Sequence, residues 1–152
     1  MFSQTTEYAL RVIVHLATLE GKPATIQQIS SATKVPAGYL AKVLQSLARA
    51  GFISSQRGLH GGSVLARPVD KINVFEVIQS VSPMARIETC PLGIKSHGNK
   101  LCALHQRLDD ALGMVEKALK ESTMADILAD KRDSRPLCEA AKPLAVTIRG
   151  KR

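Results

Sequence analysis

Residues 52–66 hold two short strand-forming runs, Phe52-Ile53-Ser54-Ser55-Gln56 and Ser63-Val64-Leu65-Ala66, parted by Arg57-Gly58-Leu59-His60-Gly61-Gly62. Two runs of that length around a glycine-rich tip read as a β-hairpin, and Pro68 closes the returning strand. The hairpin follows helix patterns directly, so whatever the chain builds must accommodate a small ribbon projecting from a helical body.

Three helix patterns precede the ribbon. Residues 4–20 carry Tyr8, Ala9, Val12, Ile13, Leu16 and Leu19 as one broad apolar stripe, with Ser3 placed to cap and with Gly21 and Pro23 as stops. A second helix is predicted from about Thr25, its apolar face formed by Ile26, Ile29 and Ala32. Lys34-Val35 make a short turn, and Pro36, in the first turn, opens a third helix to about Ala50. Its core side is Leu40, Val43, Leu44 and Leu47, and Gly51 ends it.

Beyond the ribbon, residues 73–81 read as a helix capped by Asn73, and residues 82–99 as a loop holding Cys90, Pro91, Gly93 and Gly98. The longest helix pattern spans 100–121, with Leu101, Leu104, Leu108, Leu112, Val115 and Leu119 along one side. At 1.5 Å per residue it is roughly 30 Å long, long enough to act as a dimer arm. A short helix over 123–129 follows, and the tail 131–152 reads as basic and largely disordered. The domain organisation expected is therefore a head at 1–81, a cysteine-containing loop at 82–99, dimerisation helices at 100–130 and the tail.

The order helix, helix, turn, helix, hairpin is that of a winged helix-turn-helix: a mainly α fold with a small β-hairpin wing, here extended by a long C-terminal helix. In such a fold the second helix of the pair enters a DNA major groove. With Leu40, Leu44 and Leu47 inward, Gly38, Ala41, Lys42 and Gln45 face outward. Gly38 and Ala41 permit close approach, Lys42 suits a phosphate or guanine, and Gln45 suits an adenine edge. Tyr39 is expected to pack partly inward with its hydroxyl directed to a phosphate. On the wing, Arg57 suits the minor groove, and the neighbouring His60 and Gly61 lie where the backbone approaches sugar and phosphate.

Charge placement agrees. The net charge of +8 divides into +4 over residues 1–70, −1 over 71–130 and +5 over 131–152, so both ends suit a polyanion. No apolar run approaches the roughly 20 residues that span a bilayer, and residues 1–11 do not form a secretion signal, so a cytoplasmic protein without membrane contact is expected. No Ser-His-Asp set, phosphate loop or carboxylate pair stands out, which argues against an enzyme. Two other classes stand beside the DNA-binding reading: a winged-helix protein-interaction adaptor, and a thiol redox enzyme using the cysteines.

Three cysteines, Cys90, Cys102 and Cys138, make no even disulfide framework, which leaves free thiols, metal ligands or redox groups. Cys102 and His105 stand one helical turn apart, so both can meet one ion. Zinc would accept two Cys with one or two His, and His97 and Ser96 are further nearby donors. His15 reads as a structural group, and Cys138 as incidental.

The segments Thr6-Glu7-Tyr8-Ala9-Leu10-Arg11, Gly38-Tyr39-Leu40, Leu47-Ala48-Arg49-Ala50-Gly51, Arg57-Gly58-Leu59-His60-Gly61-Gly62 and the cysteine loop resemble the iron–sulfur-cluster and nitric-oxide-sensing (IscR/NsrR) family of winged-helix regulators, from about Thr5 to Asp130. The resemblance implies a homodimer crossed through the long helices and gripping a pseudo-palindromic double-stranded operator; repression is the expected outcome on general grounds, since a dimer lying across a promoter blocks polymerase. It also implies a 2Fe-2S cluster held by three cysteines with a histidine or an acidic residue from the partner's first helix. Cys90 and Cys102 match the outer cysteines, His105 the histidine and Glu7 the acidic position, but Ser96 stands where the middle cysteine belongs. That departure leaves a thiol switch, another metal such as zinc, or a cofactor-free repressor as alternatives.

Overall fold

The computed structural model describes residues 2–58, 61–94 and 100–130. Helices α1 (Gln4–Thr18), α2 (Ile26–Thr33) and α3 (Ala37–Arg49) lead into the antiparallel pair β1 (Ile53–Gln56) and β2 (Gly62–Leu65). A single 3₁₀ turn at Val69–Lys71 then precedes α4 (Val74–Val81), α5 (Ala103–Glu121) and α6 (Met124–Ala129). The winged helix-turn-helix order read from the sequence is the order observed.

Local chemistry sets the boundaries. Ser3 caps α1 by accepting from the Thr6 amide, and Asn73 caps α4 by accepting from Glu76. At α2, Thr25 accepts from the Gln28 amide while the Gln28 side chain accepts from the Thr25 amide, a reciprocal box. Thr123 and Asp126 repeat that box at α6. The α2–α3 turn pivots on Lys34, whose φ of 58° is left-handed.

Some boundaries differ from expectation: α1 ends at Thr18 rather than at residue 20, and β2 begins at Gly62 rather than Ser63. Pro36 is the residue before α3 rather than part of its first turn, and α5 begins at Ala103 rather than 100 because Cys102 occupies the cap position. The face expected for α2 is corrected as well. Ile26 is 39 % exposed and Ala32 is exposed, whereas Ile29 and Thr33 are buried. Steps of three rotate steadily off one face, while a pair four apart stays on it, and an eight-residue helix touches its neighbours along a single line.

One core unites the head. Ile13 and Leu16 of α1, Ile29 of α2, Leu40 and Leu47 of α3 and Ile78 of α4 are fully buried together. Met124 of α6 joins them at 0 % exposure, so the chain returns to the head after α5. It does so by a short backbone bridge: the Val74 amide donates to the Ser122 carbonyl (2.9 Å) and the Met124 amide to the Ile72 carbonyl (2.8 Å). No helix among the described residues is long and apolar enough to cross a membrane.

Candidate nucleic-acid interface and cysteine site

Helix α3 divides cleanly. Leu40, Val43, Leu44 and Leu47 are buried, and Gly38, Ala41, Lys42 and Gln45 are exposed on the opposite side. The outward face thus carries Lys42 and Gln45 among small residues, with Arg49 exposed in the last turn.

Tyr39 lies between the two faces at 40 % exposure. Its ring meets Tyr8 edge-on at 5.6 Å, and its hydroxyl is 2.7 Å from the Thr5 hydroxyl. The ring stays exposed and rests on Tyr8 rather than on the core, and the hydroxyl has a protein partner that the sequence did not suggest. The pair of contacts braces the start of α3 against the start of α1.

The wing is tied to the head by a contact absent from the sequence pattern. Ser63 of β2 and Ala24, just before α2, exchange two backbone hydrogen bonds, Ala24 N–H to the Ser63 carbonyl at 3.0 Å and Ser63 N–H to the Ala24 carbonyl at 2.8 Å. The backbone of Gly62 runs against Ala24 so closely that a Cβ there would overlap the Ala24 backbone, and one at Gly61 would overlap the Gln56 carbonyl. These glycines are therefore demanded by the protein's own packing. Arg57, at the end of β1, is exposed; His60 lies outside the described residues.

Between α3 and the wing runs a cleft of about 480 Å³ lined in part by Ile26, Ala41, Gln45, Ala48, Ser55 and Gln56. Ser55 and Gln56 do not stand out in the sequence. Their signal is positional: they belong to the strand that leads into Arg57 and are exposed where a strand half should be covered.

The cysteine donors assemble only in part. Cys102 Sγ is 3.3 Å from His105 Nδ1, and Cys102 makes no side-chain capping bond to α5. Cys90 is buried, and its carbonyl accepts from the Gly93 amide at 2.9 Å. Glu7 is exposed and pairs with Arg11 on its own helix at 3.0 Å. Among the described residues no three His, Cys, Asp or Glu side chains converge to hold a metal ion. Ser96, His97 and Cys138 lie outside those residues. His15 is half-buried, and burial lowers its pKa below the usual imidazole value, consistent with a structural group.

A polar cluster joins the loop after α4 to the long helix. Asp109 accepts from Arg86 Nε (2.7 Å), Arg86 Nη2 (2.6 Å) and the Ile87 amide (2.9 Å). Hydrogen bonding from Arg86 first, then from Ile87, lowers the Asp109 pKa. Glu116 lies 3.7 Å from Arg86 and 2.6 Å from Lys120, whose hydrogen bond is the main cause of its lowered pKa.

Comparison with known proteins agrees with this geometry. An HTH-type transcriptional regulator of Aquifex aeolicus (strain VF5) is 27 % identical over 131 residues, 84 % of this chain and 91 % of that protein. CymR (YrzC), the global cysteine regulator of B. subtilis, superposes with a TM-score of 0.69 at 23 % identity, covering 84 % of this chain and 95 % of that one. T. potens IscR superposes with a TM-score of 0.68 at 23 % identity, covering 84 % and 85 % of the two chains. These relatives are regulators rather than enzymes, and their likeness fixes the fold. The model of the Rrf2 family, described as iron-dependent transcriptional regulators, matches residues 2–130, and the chain belongs to this family of DNA-binding transcription regulators.

Proposed function

We propose that this regulator works as a homodimeric repressor in the cytoplasm, reading a pseudo-palindromic operator with two copies of α3. The carrying observation is the division of α3: four core residues on one side, and on the other Gly38, Ala41, Lys42 and Gln45, all exposed. Lys42 and Gln45 read base edges or phosphates in the major groove, Tyr39 lies at the groove edge, and Arg57, with the tip residues His60 and Gly61, meets the adjacent minor groove. Repression follows if the dimer covers a promoter.

The long helix supports the dimer. Leu104 is 64 % exposed, Leu108 48 %, Met114 68 % and Val115 39 %, a density of bare apolar side chains that a lone helix in water does not favour. A second copy laid against them brings two recognition helices to successive major grooves about 34 Å apart.

Control is assigned to Cys90, Cys102 and His105. Two forms of control are supported by different observations. The iron dependence in the family's description supports an iron–sulfur cluster. One chain's described residues do not fit such a cluster, however, since only Cys102 and His105 converge; Cys90 and a fourth donor, Glu7 of a second copy or His97 or Ser96, would have to join them. That convergence of a thiol and an imidazole supports thiol control, and zinc or no cofactor are the other outcomes.

The test uses the full chain purified without oxygen. Visible absorption with about two irons per subunit identifies the cluster; colourless protein whose DNA affinity changes on thiol oxidation identifies thiol control. Salt-sensitive binding to duplex DNA is expected in either case, and its absence would overturn the reading of α3 and the wing.

A further inference from the structure

Residues 84–87 form a strap between the head and the long helix. At one end the Gln79 side chain of α4 grips both backbone groups of Met84: its amide nitrogen donates to the Met84 carbonyl (3.0 Å) and its oxygen accepts from the Met84 amide (2.9 Å). At the other, Arg86 and the Ile87 amide converge on Asp109 of α5 through three hydrogen bonds. Asp109 is the one buried residue of the nineteen in α5. Gly113, one turn on, lies under the guanidinium: a Cβ there would stand 3.0 Å from Arg86 Nη1 and 3.1 Å from Cζ.

The far end of α5 is held independently by the bridge from Ser122 and Met124 to the head and by Lys120, whose Nζ is 4.8 Å from the centre of the Phe75 ring. The helix is thus fixed at two points, Asp109 and Ser122, about 20 Å apart at 1.5 Å per residue. Two fixed points define a direction; one leaves a pivot. A tilt of roughly ten degrees about the Ser122 end displaces the Asp109 end by about 3.5 Å, close to one base-pair step of a duplex repeating in about 34 Å.

From this we infer that the Gln79–Met84 and Arg86–Asp109 clasp is the element that sets the spacing between operator half-sites, by fixing the angle at which α5 leaves the head. The inference rests on the homodimer reading. Arg86, Asp109 and Gln79 are positioning residues: they touch no DNA, and their effect lies in where the second head falls. Arg86 is well suited, because a planar fork holding a carboxylate in two bonds fixes orientation as well as distance, which an ammonium does not.

The experiment uses the full chain. Duplexes are first enriched from a random library by the wild-type protein, and the recovered site is rebuilt with its centre lengthened or shortened by one and two base pairs, alongside a duplex carrying one half-site. Wild type should lose roughly tenfold or more in affinity at one step from its preferred spacing. Arg86→Gln should flatten that profile to threefold or less while binding the single half-site as wild type does. Arg86→Lys, keeping the charge without the fork, should fall between them. Gln79→Ala loosens the opposite end of the strap and should flatten the profile as well, which keeps the inference testable if Arg86→Gln fails to fold by circular dichroism. Paired half-sites with unchanged profiles in the folded variants would overturn the clasp's role alone. Recovery of lone half-sites by the wild type would overturn the two-fold reading and the clasp's role with it.

Discussion

Ser63 and Ala24 join the wing to the entrance of α2 through paired backbone hydrogen bonds of 3.0 and 2.8 Å, across 39 residues of sequence. The wing is therefore a third support of the helix-turn-helix rather than a pendant ribbon. Gly62→Ala places a methyl group against the Ala24 backbone. Overpacking against backbone typically costs about 1–3 kcal/mol, so chemical denaturation should show a loss in that range. DNA binding should fall with it, because Arg57 is carried on the displaced hairpin.

Lys42→Ala and Arg57→Ala remove exposed cations outside the buried core. Melting temperatures should stay at the wild-type value. Operator affinity should drop roughly tenfold for each, and the slope of log affinity against log salt should flatten by about one for every phosphate that is no longer neutralised. Titration by fluorescence anisotropy at several salt concentrations measures both. Unchanged slopes in both variants would remove these residues from the interface.

Met124 provides a test of whether α6 belongs to the head. Met124→Ala deletes a side chain at 0 % exposure among the residues of the main core. Such truncations cost about 2–5 kcal/mol. Urea denaturation should report a loss of that size in one cooperative transition; a separate early transition would mean that α6 unfolds on its own.

Acid should loosen the clasp. Asp109 is held below the usual carboxylate range, by Arg86 first and Ile87 second, with Glu116 and Lys120 the other charged groups at the cluster. A carboxylate whose folded pKa is lowered stabilises the fold above its unfolded value, near 4, and that contribution is lost as pH falls through the lower folded value. Wild-type stability should therefore decline below about pH 4 more steeply than that of Asp109→Asn, whose curve lacks this component. Thermal melts from pH 6 down to 2 measure the difference.

Leu108→Asp places a charge on the bare side of α5, where Leu108 is 48 % exposed in one chain. Light scattering should show monomer at concentrations where the wild type is dimeric, and operator affinity should fall by about 100-fold or more as each head binds alone. An unchanged mass would remove this face from the dimer.

Features that depend on short-range chemistry were legible in the sequence. Ser3 and Asn73 cap the helices they were expected to cap, the four apolar residues of α3 are buried, and the two expected strands pair antiparallel. The α2 face was misread because three apolar positions three apart resemble a stripe until packing chooses the pair Ile29 and Thr33. The Arg86–Asp109 clasp and the Ala24–Ser63 join leave no periodic trace: one is a polar pair 23 residues apart, the other uses backbone groups that every residue carries. Cys102 and His105, one turn apart, do meet as their spacing suggested, but spacing along a chain does not say where Cys90 lies relative to Cys102.

The separation of Lys42 and Gln45 from the buried side of α3 bears on how such a protein changes its targets. Residues 38, 41, 42 and 45 are all exposed, so their side chains can be exchanged without disturbing the packing of the core. Gly61 and Gly62 have no such freedom, because any larger residue collides with the molecule itself. On the reading proposed above, drift toward a new operator would run along that strip of helix, while Gly61 and Gly62 stay fixed.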